Sequence, residues 1–436
     1  MHHLSDDPAP LLALLQRHGN PTSPHGLLCC SLRQYHRVEA LYGHDLAEQL
    51  FAAGRDNLQQ RLPQGSAIVR TGPAELALLL PLNTGHDAEL LSLAQQLNHH
   101  CTVVSSTAGP PLLLTMAIGA ATTGSRPTCN ASEWLSRARL AMHAAQSRQG
   151  HQVVIATPTL QQQSETLYRQ EAELVQALQR QQLTAHLQPI VNLRNRQVIG
   201  FECLARWVRS DGSVLSPRHF LAQAHTAGLT AAVDLQVLEA SLKAAQPLAA
   251  VLGPDRTLLL SANLSAQLVG SERCQRRLLD LIGRHPLPQG VALQLELVEE
   301  SLNEADPGLE DLLQHLADRQ IQIAIDDFGT GYSSLSRLHN LAIDAIKVDR
   351  SFVQRINAAD KPSNHLLDML VAIGSDLKIR LTAEGVETEQ QRQWLLDHGI
   401  GQGQGYLFSK PLDLAEAIAT LQSQTSSSAD PGGITN

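Results

Sequence analysis

Six acidic or amide side chains and one lysine recur at similar places in the second half of the chain: Glu202, Asn263, Glu296, Asp326, Asp327, Lys347 and Glu384. Each follows, or lies late in, a short apolar run of the kind that makes a buried strand. Gathered at one point, the carboxylates would repel one another, at about 4 kcal/mol for two unit charges ~4 Å apart in an effective dielectric near 20. They stay ionised together only if cations sit between them. No CxxC pair and no HExxH is present, so the donors are oxygens, which suit Mg²⁺ or Mn²⁺ better than zinc. Two such ions roughly 3.5–4 Å apart form the usual clamp for phosphodiester hydrolysis. Lys347 would then orient the water or stabilise the transition state.

The elements that must position these groups are legible as a repeat. Strand-like runs cover 186–191, 197–204, 257–264, 292–297, 320–325, 345–348, 380–383 and 403–407, with helical patterns between them. Eight strands over about 230 residues fit a modified (β/α)8 TIM-like barrel, whose chemistry lies at the C-terminal ends of its strands. Glu202 is expected to close the second strand, Asn263 the third, and Asp326 and Asp327 to follow the fifth. Only about five residues separate the first two strands, too few for a parallel crossover, so the first strand is expected to be antiparallel.

The first half is a different α/β layer domain. Its pattern predicts strands at 26–32, 66–69, 75–82, 112–120 and 152–156, and helices at 38–62, 87–97 and 132–146. It contains no lysine, the first in the chain being Lys243. The boundaries expected from composition are a first domain over 1–155, an interdomain helix over 156–184, a second domain over 185–421 and a disordered tail over 422–436. With 436 residues and 43% hydrophobic content, each half can bury a core. A formal net charge of −9 disfavours a general nucleic-acid binder. No apolar run reaches the ~18 residues of a membrane helix and no signal peptide is evident, so a cytoplasmic protein with reduced thiols is expected.

Residues 188–411 resemble the EAL family of cyclic di-GMP phosphodiesterases. The resemblance rests on Leu187-Gln188-Pro189-Ile190-Val191, Gly200-Phe201-Glu202-Cys203-Leu204-Ala205-Arg206-Trp207, Asn263-Leu264-Ser265, Glu296-Leu297-Val298-Glu299, Asp326-Asp327-Phe328-Gly329-Thr330-Gly331, Lys347-Val348-Asp349-Arg350, Ala383-Glu384-Gly385-Val386-Glu387 and Gln404-Gly405-Tyr406. It implies metal ligation by Glu202, Asn263, Glu296, Asp326 and Asp327, with Glu384 completing the water-activating set, Lys347 as the catalytic lysine, and Glu387 and Gln404 in support. It also implies substrate contacts at Gln188, Leu204, Arg206 and Pro411. The loop from Phe328 through Gly329, Thr330 and Gly331 to Leu335, anchored by Glu299, matches the family loop that couples a homodimer to the active site. Four positions depart from the family pattern, namely Cys203, Val298, His225 and Gly401, and none is a metal ligand.

The first half is similar to the GGDEF family, whose active members are diguanylate cyclases, in frame but not in chemistry. With Gly43-His44 as the anchor, the metal Asp falls on Arg33, the phosphate-binding Lys on His36, and the guanine-reading Asn and Asp on Glu39 and Ala40. The signature stands as Gly72-Pro73-Ala74-Glu75-Leu76. Pro73 lacks the N–H that a phosphate-cradling turn needs, and Ala74 lacks the central carboxylate. The late Asp and Lys stand as Arg139 and Gln146, and the inhibitory Arg-x-x-Asp falls on Pro63 and Ser66. The expectation is a catalytically inactive regulatory domain that meets a protein partner or ligand, ahead of a cyclic di-GMP phosphodiesterase that uses two Mg²⁺ or Mn²⁺ ions. The alternative is a receptor that binds cyclic di-GMP without hydrolysing it.

Overall fold

A computed structural model of the chain describes residues 8–18, 24–99, 103–104, 113–123, 130–147, 152–253, 255–302, 307–328, 341–356 and 361–428. The chain divides into two compact units, Met1–Tyr168 and Arg169–Asn436.

The first unit runs α1 (Pro8–His18), β1 (His25–Leu32), α2 (Tyr35–Tyr42), α3 (His44–Gln59), β2 (Ala67–Gly72), β3 (Glu75–Pro81), α4 (Asp87–His99), β4 (Val103–Val104), β5 (Leu113–Leu114), β6 (Met116–Thr122), α5 (Ala131–Gln146) and β7 (Gln152–Ile155). Its sheet has the order β2-β3-β1-β6-β7, with only β6–β7 parallel. Both faces of β1 are buried, so the strand is apolar throughout rather than alternating. Leu28 and Cys30 pack with Leu50, Phe51 and Leu90 on one face, and Leu27 and Cys29 with Leu11, Trp134 and Ala138 on the other. The single helix expected over 38–62 is two helices, because Gly43 at φ 88 breaks the helical turn between α2 and α3. The strand expected over 112–120 is divided between β5 and β6, and α1 was not anticipated.

The helix α6 (Pro158–Gln179) leads into the second unit. That unit continues β8 (Leu183–Asn192), β9 (Val198–Val208), β10 (Val214–Leu215), α7 (Leu221–Thr226), α8 (Thr230–Ala249), β11 (Leu258–Leu264), α9 (Ala266–Val269), α10 (Glu272–Arg284), β12 (Val291–Val298), α11 (Pro307–Ala317) and β13 (Gln322–Phe328). It ends with β14 (Ala345–Val348), α12 (Arg350–Gln354), α13 (Lys361–Leu377), β15 (Arg380–Ala383), α14 (Glu389–Asp397), β16 (Gln402–Gly403) and α15 (Leu414–Ser428). The strands β9-β11-β12-β13-β14-β15-β16-β8 close into an eight-stranded barrel through β8–β9. Strand β8 is antiparallel to both neighbours, as its short connection requires. The remaining barrel pairs are parallel, and their core is largely Leu, Ile and Val.

Three sequence expectations change here. Glu202 does not end β9, which stays paired with β8 up to Leu183↔Trp207, so the two strands project beyond the barrel as a hairpin. The eighth strand stops at Gly403, because the chain folds onto Val386: Val386 N–H donates to Gln404 O at 3.0 Å and Leu407 N–H to Val386 O at 3.0 Å. Helix α15 continues to Ser428, past the start of the expected tail, and 429–436 lie outside the described residues. Among the described residues, no helix is long and apolar enough to cross a membrane. Cys29, Cys203 and Cys274 are free, and burial pushes the Cys29 and Cys203 thiols up to about 12.

Trp134 is fully buried between α5 and the sheet, and its indole N–H donates to Ala121 O at 2.8 Å. Trp134→Ala should destabilise the first unit by about 3–5 kcal/mol. Urea denaturation of the full chain checks this, and an unchanged midpoint would contradict the packing.

Candidate active site

Strand register builds the site. Side chains alternate across a strand, and the pairs Gln188↔Glu202, Ser261↔Glu202 and Asn263↔Glu296 set neighbouring polar groups on the inner face. Cys203, one residue on, packs in the apolar core instead. Asp326 and Asp327 are consecutive, and a regular strand would send them to opposite faces. The β13–β14 register shifts between Ile325 and Phe328, and Asp327 takes φ 53. This bulge lets both carboxylates approach the same acidic cluster.

Lys347 lies at the centre, 1% exposed. Its Nζ is 2.6 Å from Glu384, 2.7 Å from Glu296, and 3.2 Å from both Glu202 and Asp326. Burial alone would lower its pKa, but these four carboxylates outweigh burial and hold it well above the ordinary lysine value. One ammonium does not compensate so many acids. Burial, reinforced by Glu202 and Asp326, raises Glu296 well above the carboxylate range and brings Glu384 up to about 8. Burial, Asp326 and Asp349 raise Asp327 to about 6. Glu202 goes the other way: Lys347, Gln404 and Asn263 together overcome its burial and lower its pKa.

Amides fix the carboxylate orientations. Asn263 Nδ2 donates to Glu202 Oε1 at 3.0 Å, and Gln404 Nε2 donates to Glu202 Oε2 at 2.5 Å and Glu384 Oε1 at 3.2 Å. Gln404 is held in place by the close approach of Gly405 to Val386, where an added Cβ would stand 2.1 Å from Val386 O. Two groups beneath Glu296 were not anticipated. Ser261 Oγ donates to Glu296 Oε1 at 2.5 Å, and Gln294 Nε2 supports Ser261 at 3.0 Å. The signal was available, since Ser261 and Gln294 stand two residues before Asn263 and Glu296 on the same strand faces. Asp349, which contributes to the raised pKa of Asp327, was also passed over as a motif residue without a role.

The residues fit divalent cations. Glu202, Glu296 and Asp326 bring ligand oxygens within 4.8 Å of one another, as do Asp326, Asp327 and Glu384. Among the described residues, buried Gln404 Oε1 has no hydrogen-bond partner, and buried Asp326 Oδ1 has only its 3.2 Å ion pair with Lys347. An all-oxygen donor set with surplus negative charge suits Mg²⁺ or Mn²⁺.

The other expected residues divide. Gln188, Leu204 and Arg206 lie on the β8–β9 hairpin, and Pro411 lies beside it, next to the Leu187↔Leu412 bridge. Arg206 is half-buried, and its Nη1 donates to the carbonyl of Ala205 at 2.8 Å. Glu387 is exposed, and its N–H donates to Gln391 Oε1 at 2.8 Å. Glu299 and Phe328 are buried, while Gly329, Thr330 and Gly331 lie outside the described residues. Gly401 has open space where a side chain would stand, and its carbonyl accepts from Leu193 N–H at 2.9 Å.

In the first unit the signature turn is tied down by its own neighbour. Arg70 donates to Pro73 O at 2.7 Å and Gly72 O at 3.1 Å, and bidentately to Glu48 at 2.7 and 2.8 Å. Ala74 is buried, and Gln146 Nε2 donates to Ser31 Oγ at 2.8 Å. The Arg70 and Tyr35 bonds lower Glu48 to about 2.

Two predictions follow from these charges. Because the folded pKa of Glu48 is depressed, its contribution to stability is complete above about pH 4.3 and is lost as pH falls toward 2. Glu48→Gln should therefore flatten the acid limb of the first unit's unfolding curve, and an unaltered limb would contradict the pairing. Lys347→Met leaves buried carboxylates uncompensated, so it should destabilise the second unit by about 3–5 kcal/mol near pH 9 in metal-free buffer. Glu384 is held up to about 8 and Glu296 well above the carboxylate range, so protonation relieves this penalty as pH falls through that region. The difference from wild type, read by urea denaturation, should shrink from about pH 9 toward pH 7.

Residues 171–411 match the EAL domain family, and residues 10–152 match the diguanylate cyclase, GGDEF domain family. The cyclic di-GMP phosphodiesterase NbdA of Pseudomonas aeruginosa is 31% identical over 405 residues, which cover 92% of this chain and 50% of that protein. The probable cyclic di-GMP phosphodiesterase PdeB of Escherichia coli is 35% identical over 241 residues, covering 55% of this chain and 44% of that protein. A solved structure described as the PaMucR phosphodiesterase in complex with c-di-GMP superposes with a TM-score of 0.52 at 32% identity, covering 57% of this chain and 99% of that one. The chain spans about half the length of the curated relatives it matches. It belongs to the EAL domain family and carries a GGDEF domain ahead of its barrel.

Proposed function

We propose that the barrel hydrolyses cyclic di-GMP to linear pGpG and that the first unit regulates it without cyclase activity of its own. The observation that carries this reading is the buried Lys347 surrounded by four carboxylates, Glu202, Glu296, Asp326 and Glu384, which one ammonium does not balance. Two Mg²⁺ or Mn²⁺ ions, when bound, would lower the pKa of the attacking water and neutralise charge that develops on the phosphate. Glu202, Asn263, Glu296, Asp326, Asp327 and Glu384 would hold them.

The chain's own groups then do the rest. Glu384, at a raised pKa near the working range, accepts a proton from water. The water oxygen bonds to phosphorus as the P–O3′ ester bond breaks; its electron pair leaves on O3′, which takes a proton from solvent to become the 3′-hydroxyl, and the linear product keeps a 5′-phosphate. Lys347 fixes the carboxylates and faces the site with a permanent positive charge. Gln404 and Asn263 orient Glu202, and Arg206 forks onto a substrate phosphate. Gln188, Leu204 and Pro411 frame the nucleotide. Glu387 supports the site from the exposed β15–α14 connection. In the first unit, Arg33, Pro73 and Ala74 replace the groups that a cyclase needs, and Arg70 ties the signature turn to Glu48. Assembly as a homodimer through the barrel, coupled by Glu299 and the segment beginning at Phe328, belongs to the same reading.

The test is turnover of cyclic di-GMP by the purified chain in Mg²⁺ and in Mn²⁺. Wild type should yield pGpG, Glu202→Ala should lose at least about a hundredfold in rate, and GTP should give no cyclic product. Tight nucleotide binding with no pGpG would replace hydrolysis by the receptor reading. Cyclic di-GMP made from GTP would overturn the inactive first unit.

A further inference from the structure

Resting on that reading of the barrel mouth, one side chain on the β8–β9 hairpin has the placement and chemistry of a ligand-reading group. The register Thr184↔Arg206, His186↔Leu204 and Gln188↔Glu202 puts His186 on the same face as the carboxylate at the barrel centre. It stands two residues from Gln188 along β8 and opposite Leu204 on β9. Because β8 is antiparallel to its neighbours, moving from Gln188 to His186 leads outward along the hairpin, as moving from Glu202 to Leu204 does. The imidazole is half-buried, and the Pro411 backbone lies on its other side. His186 thus stands beside Gln188 along β8 and across from Leu204, with Arg206 and the Pro411 backbone close by, the four positions proposed above to meet the nucleotide.

The ring's partners define what it can do. Proline has no N–H, so Pro411 offers the imidazole only a carbonyl, and the ring nitrogen that faces it is a donor. Burial and the positive charge of Arg206 favour the neutral ring, against the weaker opposing pull of Asp413 and Glu416. A neutral imidazole that donates through one nitrogen is an acceptor through the other. Arg206, two residues further out on the opposite strand, supplies only donors and suits a phosphate.

We infer that His186 is a specificity-determining residue, which accepts a hydrogen bond from a donor of the bound guanine nucleotide adjoining the phosphate that Arg206 takes. Two donors on such a ligand share this chemistry, the guanine N1–H/N2–H₂ edge and the ribose 2′-hydroxyl. An adenine base lacks the N1–H, so acceptance from the base edge would also select guanine.

The experiment measures both turnover and equilibrium binding of cyclic di-GMP, by calorimetry on the full chain, for wild type, His186→Phe and His186→Gln. His186→Phe keeps a planar ring without an acceptor, and should raise both KM and Kd about tenfold or more with kcat within about threefold. The Gln side-chain oxygen can accept, so His186→Gln should recover most of the loss. Analogues lacking the 2′-hydroxyl, the guanine N2 amine or, by N1-methylation, the guanine N1–H identify the donor, since the one that removes it should cost wild type but not His186→Phe. Unchanged Kd and KM in His186→Phe, or equal losses in Phe and Gln, would overturn the inference while leaving the hydrolase reading intact. Binding without turnover would overturn hydrolysis but still test His186 through Kd. A wild type that does not bind the nucleotide would overturn both.

Discussion

One buried ammonium among carboxylates is the constraint on which the second unit depends. Lys347 contacts acids from four elements, with Glu202 inside β9, Glu296 on β12, Asp326 on β13 and Glu384 just after β15. A lysine this deep is unfavourable unless paired, and so are its partners. The pairing therefore works in both directions: the barrel must close with its strands in register for the charges to meet, and the charges penalise any other register. The excess of acid over base that remains suits the mouth to divalent cations, which a balanced structural ion pair would not.

The rest of the site refines that arrangement through backbone irregularity. The bulge in β13 turns two consecutive aspartates toward one place, where a regular strand would have separated them. The early end of β16 lets Gln404 reach both Glu202 and Glu384. The overlong β8–β9 hairpin carries Leu204, Arg206 and His186 beyond the barrel wall, where a ligand larger than a metal ion could be held. Each departure from an ideal barrel falls at the functional end, the pattern expected when local rules are set aside for chemistry.

Much of this was legible in the sequence, and the reasons are physical. Acidic and amide residues interrupt apolar strands only when something satisfies them, so Glu202, Asn263, Glu296 and Asp326 stood out against their surroundings. The antiparallel first strand followed from connection length alone. What the pattern could not supply was tertiary. Glu202 reads as lying at the close of a strand that ends at Leu204, yet pairing with β8 continues to Trp207. The helix over 38–62 reads as continuous because its apolar spacing survives the break at Gly43. Ser261 and Gln294 look like ordinary polar strand residues until Glu296 is seen above them. The loss of cyclase-type residues at Arg33, Pro73 and Ala74 was legible as substitutions, whereas the Arg70–Glu48 clamp on the turn required the fold, since these residues lie on different elements.

The most direct test of the central claim is cation binding at the barrel mouth without any nucleotide. Mn²⁺ titrated into the metal-free full chain, followed by calorimetry and by electron paramagnetic resonance, should reveal two bound ions close enough to couple. Both the second ion and the coupling should be lost in Asp326→Asn. No bound Mn²⁺, or binding indifferent to Asp326, would mean that Lys347 alone balances these carboxylates, and would contradict the account.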